Sequence, residues 1–171
     1  MSGPTVVSRR VLAAVLALTA VLALAGSKPR EPAPRFTAKT LSGETFNNQS
    51  VRGKVVLFQF WTTWCQVCAA EQELVDQLDK EFAPKGLLVL AVDVGESKKT
   101  VKKYLEKNPR TVRIVLNDDT NLAAMYAATQ YPIYVVLDRE GNIAAMQRGG
   151  SGEYGLRRLL AQAGLESEEE E

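Results

Sequence analysis

The sequence predicts an α/β domain in which a central mixed β-sheet carries helices on both faces. Apolar runs that are typical of buried strands alternate with segments of helical periodicity between residues 54 and 129. Two strand-like runs near the end of the domain then follow each other across a short turn that contains Gly141, which predicts an antiparallel hairpin. Because helices connect parallel strands and tight turns connect antiparallel ones, one sheet with both kinds of pairing is expected.

The first 26 residues have the pattern of a signal peptide. Arg9 and Arg10 give a positively charged start, residues 11–25 form a nearly unbroken apolar run, and alanines at positions 23 and 25 complete an A-x-A ending. The run is short for a membrane span, which needs about 20 residues, although the segment could also be retained as a membrane anchor. Either use predicts that the protein is exported, to the periplasm or to the extracytoplasmic face of the membrane.

The next segments lead into the folded domain. Residues 27–34 are rich in proline and charge and are predicted to form an extended linker, so the domain is expected to cover residues 35–165. An N-terminal β-hairpin is expected at residues 36–46. Residues 54–61 are apolar on both faces, as a buried central strand should be.

The remaining elements follow from strand or helix periodicity and are bounded mostly by glycine, proline, asparagine or aspartate. The predicted series is a helix at 65–82, a strand at 87–94, a basic helix at 97–107, a strand at 112–116, a short helix at 121–129, a hairpin of strands at 133–138 and 143–147, and a closing helix at 154–163. Residues 166–171 form an acidic tail that is expected to be solvated and disordered. The exposed face of the basic helix is interpreted as a solvated surface; it carries Lys98, Lys99, Lys102 and Lys103.

Cys65 and Cys68 are the two cysteines of the chain, and they lie where a predicted strand gives way to a predicted helix. The positive end of the helix stabilises a thiolate, so this CxxC pattern predicts a redox site. Cys65, at the helix start, is expected to be the nucleophile that attacks a disulfide of a partner protein, and Cys68 the resolving thiol. An inert structural disulfide is the alternative, but so short a loop would constrain little of the unfolded chain.

Composition excludes several other kinds of site. Histidine is absent, which removes Ser/His/Asp and Cys/His catalysis and every His-based metal site. Two thiolates supply only half of a tetrahedral zinc site. The net charge of +1 gives no electrostatic case for nucleic acid as a partner. No metal, no cofactor and no nucleic acid are therefore expected.

Four segments together resemble one known family. They are residues 34–57, the stretch from Phe60 to Cys68, the single residue Glu71, and residues 131–141. These segments resemble the thioredoxin-like superfamily and, within it, the exported TlpA/ResA-like thiol–disulfide oxidoreductases, which have a redoxin domain of the AhpC/TSA type. The likeness covers about residues 34–163 and implies a thioredoxin-like fold.

The resemblance also implies roles for residues around the cysteines. A cis peptide bond is expected between Tyr131 and Pro132, facing the cysteines, so that the Tyr131 backbone can pair with an extended substrate segment; an ordinary trans proline is the alternative. Trp64 is expected against the disulfide, at the edge of this substrate groove, unless it is a core residue. Glu71 matches an acidic residue of the ResA-like branch, and its carboxylate can return toward Cys68; an exposed helix glutamate is the alternative.

Three residues depart from the family pattern. Val67 replaces the usual proline before the second cysteine, and Glu73 stands where many relatives have a helix-kinking proline. Gln59 occupies the strand position at which cytoplasmic thioredoxins have a buried aspartate. The acid–base role associated with that aspartate therefore does not transfer to this chain.

The leading functional hypothesis is an exported thiol–disulfide oxidoreductase that acts mainly as a reductant of protein disulfides. Neither residue between the cysteines is cationic, and Glu71 and Glu73 are anionic, which disfavours a strongly oxidising couple. By resemblance, one such function is the reduction of apocytochrome c cysteines, with a membrane thiol donor supplying electrons. Two alternatives remain, a thiol peroxidase in which Thr62 precedes Cys65 in a Thr-x-x-Cys pattern, and a non-catalytic thioredoxin-fold binding module.

Overall fold

The structure is a computed structural model that describes residues 30–166. The predicted signal peptide and the first part of the predicted linker lie outside the described residues, as does the acidic tail beyond residue 166. Within residues 30–166, no helix is both long enough and apolar enough to cross a membrane.

Within the described part of the chain, seven strands form one mixed sheet in the order β2-β1-β5-β4-β3-β6-β7. β3, β4 and β5 are parallel, and the remaining pairs are antiparallel. The fold class predicted from the sequence is confirmed. In chain order the elements are β1 (Thr37–Thr40), β2 (Thr45–Asn47), β3 (Val55–Trp61), α1 (Gln66–Phe82), β4 (Leu87–Asp93), α2 (Lys98–Lys107), β5 (Arg113–Thr120), α3 (Leu122–Met125), β6 (Ile133–Leu137), β7 (Ile143–Arg148) and α4 (Gly152–Ala161).

The central strand β3 divides the core into two apolar clusters. All its residues are buried, and their side chains alternate between the two faces of the sheet. Leu57 and Trp61 belong to the cluster that includes residues of α1, α2 and α4, whereas Phe58 and Phe60 belong to the cluster that includes residues of α3. Burial on both faces explains why this strand is a continuous apolar run.

Helix α1 carries the cysteine motif and packs along the sheet. Cys65 is its N-cap, and the helix passes into a single 3₁₀ turn after Phe82. Val75, Leu78 and Phe82 recur at helical spacing and are fully buried. The chain then reverses at Gly86, which has the left-handed φ of 91° that favours glycine, and enters β4.

Several element bounds differ from those predicted, and three of the differences have a visible structural reason or extent. β5 continues to Thr120 because β1 pairs along it, with Thr40 opposite Val115 and Ala38 opposite Thr120 across an irregularity. Helix α3 ends at Met125, well before residue 129, and Ala127 adopts a φ of 46° that no helix continues through. Helix α4 begins at Gly152, two positions before the predicted start at Tyr154.

Backbone pairing begins before the expected domain start at residue 35. The carbonyl of Glu31 accepts a hydrogen bond from the N–H of Ile143 at 2.8 Å, and the N–H of Ala33 donates to the carbonyl of Gly141 at 3.0 Å. The last residues of the predicted linker are therefore held against the turn of the β6–β7 hairpin. This turn lies at the end of the sheet where β3 begins, since Val56 is paired with Leu137.

Candidate active site

Cys65 and Cys68 form a disulfide at the start of α1, directly beyond the carboxyl end of the central strand. The Cα atoms of the two cysteines are 5.2 Å apart. Sγ of Cys65 accepts a hydrogen bond from the backbone N–H of Cys68 at 3.1 Å, so this sulfur serves as the cap of the helix. Because the unpaired N–H groups of a first helical turn carry partial positive charge, this position favours a thiolate at Cys65. The exposed fraction of the residue is 7% for Cys65 and 2% for Cys68, so Cys65 is the more exposed of the two cysteines.

Two large apolar side chains next to the cysteines in the sequence are exposed, one directly before Cys65 and one directly before Cys68. Trp64 is 68% exposed and Val67 is 48% exposed, although both are large and apolar. The alternative that Trp64 is a core residue is therefore wrong, whereas Trp61 is buried against the ring of Tyr104 as expected. Exposed apolar side chains next to a reactive group are typical of a surface that contacts a partner.

The peptide bond between Tyr131 and Pro132 is cis, as the resemblance implied, and the trans alternative is wrong. Phe60, near the carboxyl end of β3, is paired with Ile133, so the cis bond lies at the same end of the sheet as the cysteines. The Tyr131 ring contacts Trp64 edge-on, with ring centroids 5.8 Å apart. The two residues expected to border a substrate groove are therefore in contact with each other.

Glu71 is buried, which contradicts the alternative of an exposed helix glutamate. One carboxylate oxygen accepts the hydroxyl hydrogen of Tyr134 at 2.7 Å. The other accepts the backbone N–H groups of Ser151 at 2.7 Å and Gly152 at 2.6 Å. Glu71 therefore caps the N-terminus of α4, where a negative charge is favoured, while the side chain of Ser151 makes no cap of its own.

The carboxylate of Glu71 also lies near the residue between the cysteines. A Cβ atom on Gly150 would come within 2.8 Å of Cγ1 of Val67 and within 3.2 Å of Oε1 of Glu71. The Glu71 carboxylate and the exposed Val67 side chain thus meet at one point on the loop before α4. This loop approaches α1 so closely because residue 150 has no side chain.

Comparison with known proteins identifies the family. Residues 29–146, more than half of the chain, match the AhpC/TSA family. The chain belongs to the AhpC/TSA family. The thioredoxin-like protein YneN of Bacillus subtilis (strain 168) is 36% identical over 127 residues, which are 72% of this chain and 74% of that protein. The thiol-disulfide oxidoreductase ResA of Geobacillus thermodenitrificans (strain NG80-2) is 31% identical over 117 residues, 68% of this chain and 67% of that protein.

A solved structure agrees with this family assignment at the level of the fold. The thiol:disulfide interchange protein of the thioredoxin family from Chlorobium tepidum TLS superposes with a TM-score of 0.69 at 24% identity, covering 81% of this chain and 99% of that chain. This AhpC/TSA-family protein therefore has the thioredoxin-like fold. With relatives of the ResA type and a bonded CxxC pair, it is a thiol–disulfide oxidoreductase.

Sequence reasoning missed a second acidic group in this AhpC/TSA-family site. Asp93, at the end of β4, is fully buried, and one of its oxygens accepts the N–H of Glu96 at 3.3 Å. Burial and the neighbouring Glu96 carboxylate raise the pKa of Asp93 to about 8. Glu96 in turn accepts both the N–H and the hydroxyl hydrogen of Thr63, each at 2.6 Å. The carboxyl groups of Asp93 and Glu96 therefore hold the loop that leads to Cys65. In the sequence, the only indication of this pair was one aspartate at the end of an apolar strand.

A buried polar network that includes two residues of α1, Glu71 and Asp76, was also missed. It joins Glu71 through Tyr134 and Gln59 to Arg110, which forms an ion pair with Asp76 at 2.8 Å. Gln59 stood out in the sequence as a polar residue in an apolar strand. Glu71 stood out through the family resemblance, whereas Tyr134, Arg110 and Asp76 carried no signal, because their contacts join segments that are far apart in the chain.

Proposed function

We propose that the protein is an exported reductant of disulfides in other proteins, with Cys65 as the nucleophile and Cys68 as the resolving thiol. The observation that carries this proposal is the position of Cys65, which caps α1 at the positive end of the helix. Trp64, Tyr131 and Pro132 are the proposed substrate-binding residues. The exposed Trp64 ring and the cis bond at the same end of the sheet support this assignment.

The proposed reaction transfers two electrons from the dithiol to the substrate. The Cys65 thiolate attacks one sulfur of the substrate disulfide, and the other substrate sulfur leaves as a thiolate that takes up a proton. Cys68 then loses its proton and attacks Sγ of Cys65, which releases the second substrate thiol. The protein is left with the Cys65–Cys68 disulfide, and a thiol donor must reduce it by the reverse exchange before the next cycle.

Export, and electron supply from a membrane thiol donor, are part of the same proposal. The signal-like residues 1–26 support export, and their retention would tether the domain to the membrane. Exported compartments favour disulfides, so a reductant there needs a dedicated donor. Relatives named ResA support a place for this protein among the ResA-like enzymes. We propose the cysteines of apocytochrome c as its substrates.

The full-length Cys68→Ser variant tests this proposal in the exported compartment. Without the resolving thiol, the mixed disulfide at Cys65 persists and can be isolated with its partner attached. We expect exported proteins with paired cysteines to be trapped by this variant and to be absent from the Cys65→Ser control. Equal trapping by both variants would contradict the assignment of Cys65. Peroxide consumption by the reduced wild-type protein, measured in parallel, would favour the peroxidase alternative instead.

A further inference from the structure

A line of buried hydrogen bonds runs beneath the cysteine-bearing helix from Arg110 to Glu71. Arg110 NH2 donates to Oε1 of Gln59 at 3.2 Å, Nε2 of Gln59 donates to the Tyr134 hydroxyl at 3.4 Å, and that hydroxyl donates to Glu71 at 2.7 Å. Gln59 and Tyr134 are fully buried, and the Arg110 side chain is 1% exposed. Polar groups buried this deeply are normally paired, and here the pairs form one continuous chain.

The chemistry of the members fixes the direction of every hydrogen in this chain. A guanidinium can only donate, so Gln59 must present its oxygen to Arg110 and its N–H₂ to Tyr134. The Tyr134 oxygen then accepts from Gln59, and its own hydrogen is directed to the Glu71 carboxylate. Burial and the Glu71 carboxylate raise the pKa of Tyr134, so the hydroxyl keeps its hydrogen.

The identity of residue 59 matters for this directionality. An aspartate or glutamate there would accept hydrogen bonds from both sides, and the Tyr134 hydrogen could then turn away from Glu71. Arg110 is held in place at its other edge, because Nε donates to Asp76 at 2.8 Å and the N–H of Thr111 donates to the second Asp76 oxygen at 2.9 Å. A glutamine at position 59 therefore orients Tyr134, and an acidic residue would not.

We propose that Tyr134, oriented by Gln59 and Arg110, is a positioning residue that holds the Glu71 carboxylate against the first turns of α1. Glu71 lies one helical turn beyond Cys68 and approaches Val67 at the Gly150 loop, so its placement affects the electrostatic field at the dithiol. This inference rests on the proposed function, because it assigns a role at the same dithiol.

Alkylation of Cys65 in the reduced full-length protein, followed from pH 5 to pH 10, tests the proposal. We expect Tyr134→Phe to change the alkylation rate constant at pH 7 by about threefold to tenfold, since a hydrogen bond to a charged group is lost. In the Glu71→Gln background the same substitution should cause no further change. Asp93 and Glu96, the acidic groups at the end of β4 and just beyond it, are unaltered in all these variants, so the titration of Asp93 is common to every profile that is compared.

Tyr126→Phe is the matched control. Tyr126 is also buried, belongs to the cluster on the opposite face of the sheet, and its hydroxyl has no hydrogen-bond partner among residues 30–166. We expect this variant to keep the wild-type pH profile. A profile that Tyr134→Phe leaves unchanged, or shifts equally in the wild-type and Glu71→Gln backgrounds, would overturn the proposal.

A second variant covers the case in which Tyr134→Phe does not fold. Gln59→Glu keeps the shape of the side chain but supplies acceptors only, so it should shift the profile through Glu71. Because the new carboxyl also acts on the dithiol directly, the shift should be clearly larger in the wild-type background than in the Glu71→Gln background, and equal shifts would contradict the proposal. A profile left unshifted by Gln59→Glu would overturn the proposal. Alkylation needs no substrate, so this test does not depend on the proposed function. If Tyr134→Phe acts only when Glu71 is present but the protein reduces no disulfide, the proposed function is wrong and the role of Tyr134 stands.

Discussion

At the scale of single residues, Asp93 shows how burial changes the chemistry of a carboxyl group. It lies at the end of a strand where every residue is buried, and one of its oxygens has no hydrogen-bond partner among the described residues. Burial raises the pKa of the Tyr131 hydroxyl, and the charge of ionised Asp93 raises it further. Asp93 therefore acts on the cis-proline segment. A buried carboxyl with a raised pKa favours its neutral form, so ionising it at higher pH costs the folded state free energy.

We expect Asp93→Asn to remove a pH-dependent loss of stability. Folded Asp93 keeps its proton up to about pH 8, whereas in the unfolded chain it loses the proton near the ordinary value of 3.8. Between these values the folded state binds more protons, so the free energy of unfolding falls as pH rises, by up to about 1.4 kcal/mol per pH unit. Urea unfolding of the disulfide-bonded proteins from pH 4 to pH 9 should show the variant gaining stability over the wild type with rising pH.

The control for this series is Asp118→Asn, which removes a carboxylate from an exposed position in β5. Its stability difference from the wild type should stay nearly constant over the same pH range. A constant difference for Asp93→Asn as well would show that the buried carboxyl does not couple folding to protonation.

At the scale of elements, the contact between α1 and the loop before α4 depends on one missing side chain. Gly150→Ala would place a Cβ atom 2.8 Å from Cγ1 of Val67, and a β-branched side chain in a helix has little freedom to rotate away. We expect the variant to lose about 1 kcal/mol or more of unfolding free energy. In a Val67→Ala background, which removes that Cγ1 atom, Gly150→Ala should cost clearly less, as measured by urea unfolding. An equal loss in both backgrounds would place the strain elsewhere.

The elements also show which parts of the fold a sequence can predict. The buried strands and α1 were predicted closely, because apolar periodicity is a local property of the chain. β5 was predicted too short, because residues 117–119 are polar and their strand conformation depends on pairing with the distant strand β1. Helix α3 was predicted too long, because nothing local indicates the left-handed conformation of Ala127.

The residues of the candidate site also fall into those that the sequence predicts and those that it does not. Cys65, Cys68 and the cis bond before Pro132 were found, because short motifs and a family resemblance identify them. Tyr134 and Arg110 could not be found, because their importance arises only when β6 and the segment before β5 meet at α1. A tyrosine in an apolar strand is an ordinary core residue until a carboxylate is placed beside it.

For the whole molecule, the proposed function predicts a reducing couple. The α1 N-terminus favours a thiolate, but neither Gln66 nor Val67 is cationic, and the anionic Glu71 lies nearby. We expect a reduction potential near about −270 mV, measured by equilibration with dithiothreitol or glutathione. Gln66→His adds, at an exposed position beside Cys65, a side chain that is cationic when protonated and can then stabilise the thiolate, so it should raise the potential by about 30 mV or more. A reduction potential of the wild-type protein above about −180 mV would contradict its assignment as a reductant.

The pairing of Glu31 with the β6–β7 hairpin also determines how the domain can be presented on a support. Both ends of the described chain emerge at the pole of the sheet where β3 begins, since the carbonyl of Glu166 accepts a hydrogen bond from Lys85, just ahead of β4. The dithiol lies at the other pole, where β3 ends. A bead, a sensor surface or a fused carrier joined at either of these two ends therefore attaches on the side remote from Cys65, and the reactive sulfur is directed toward the solution.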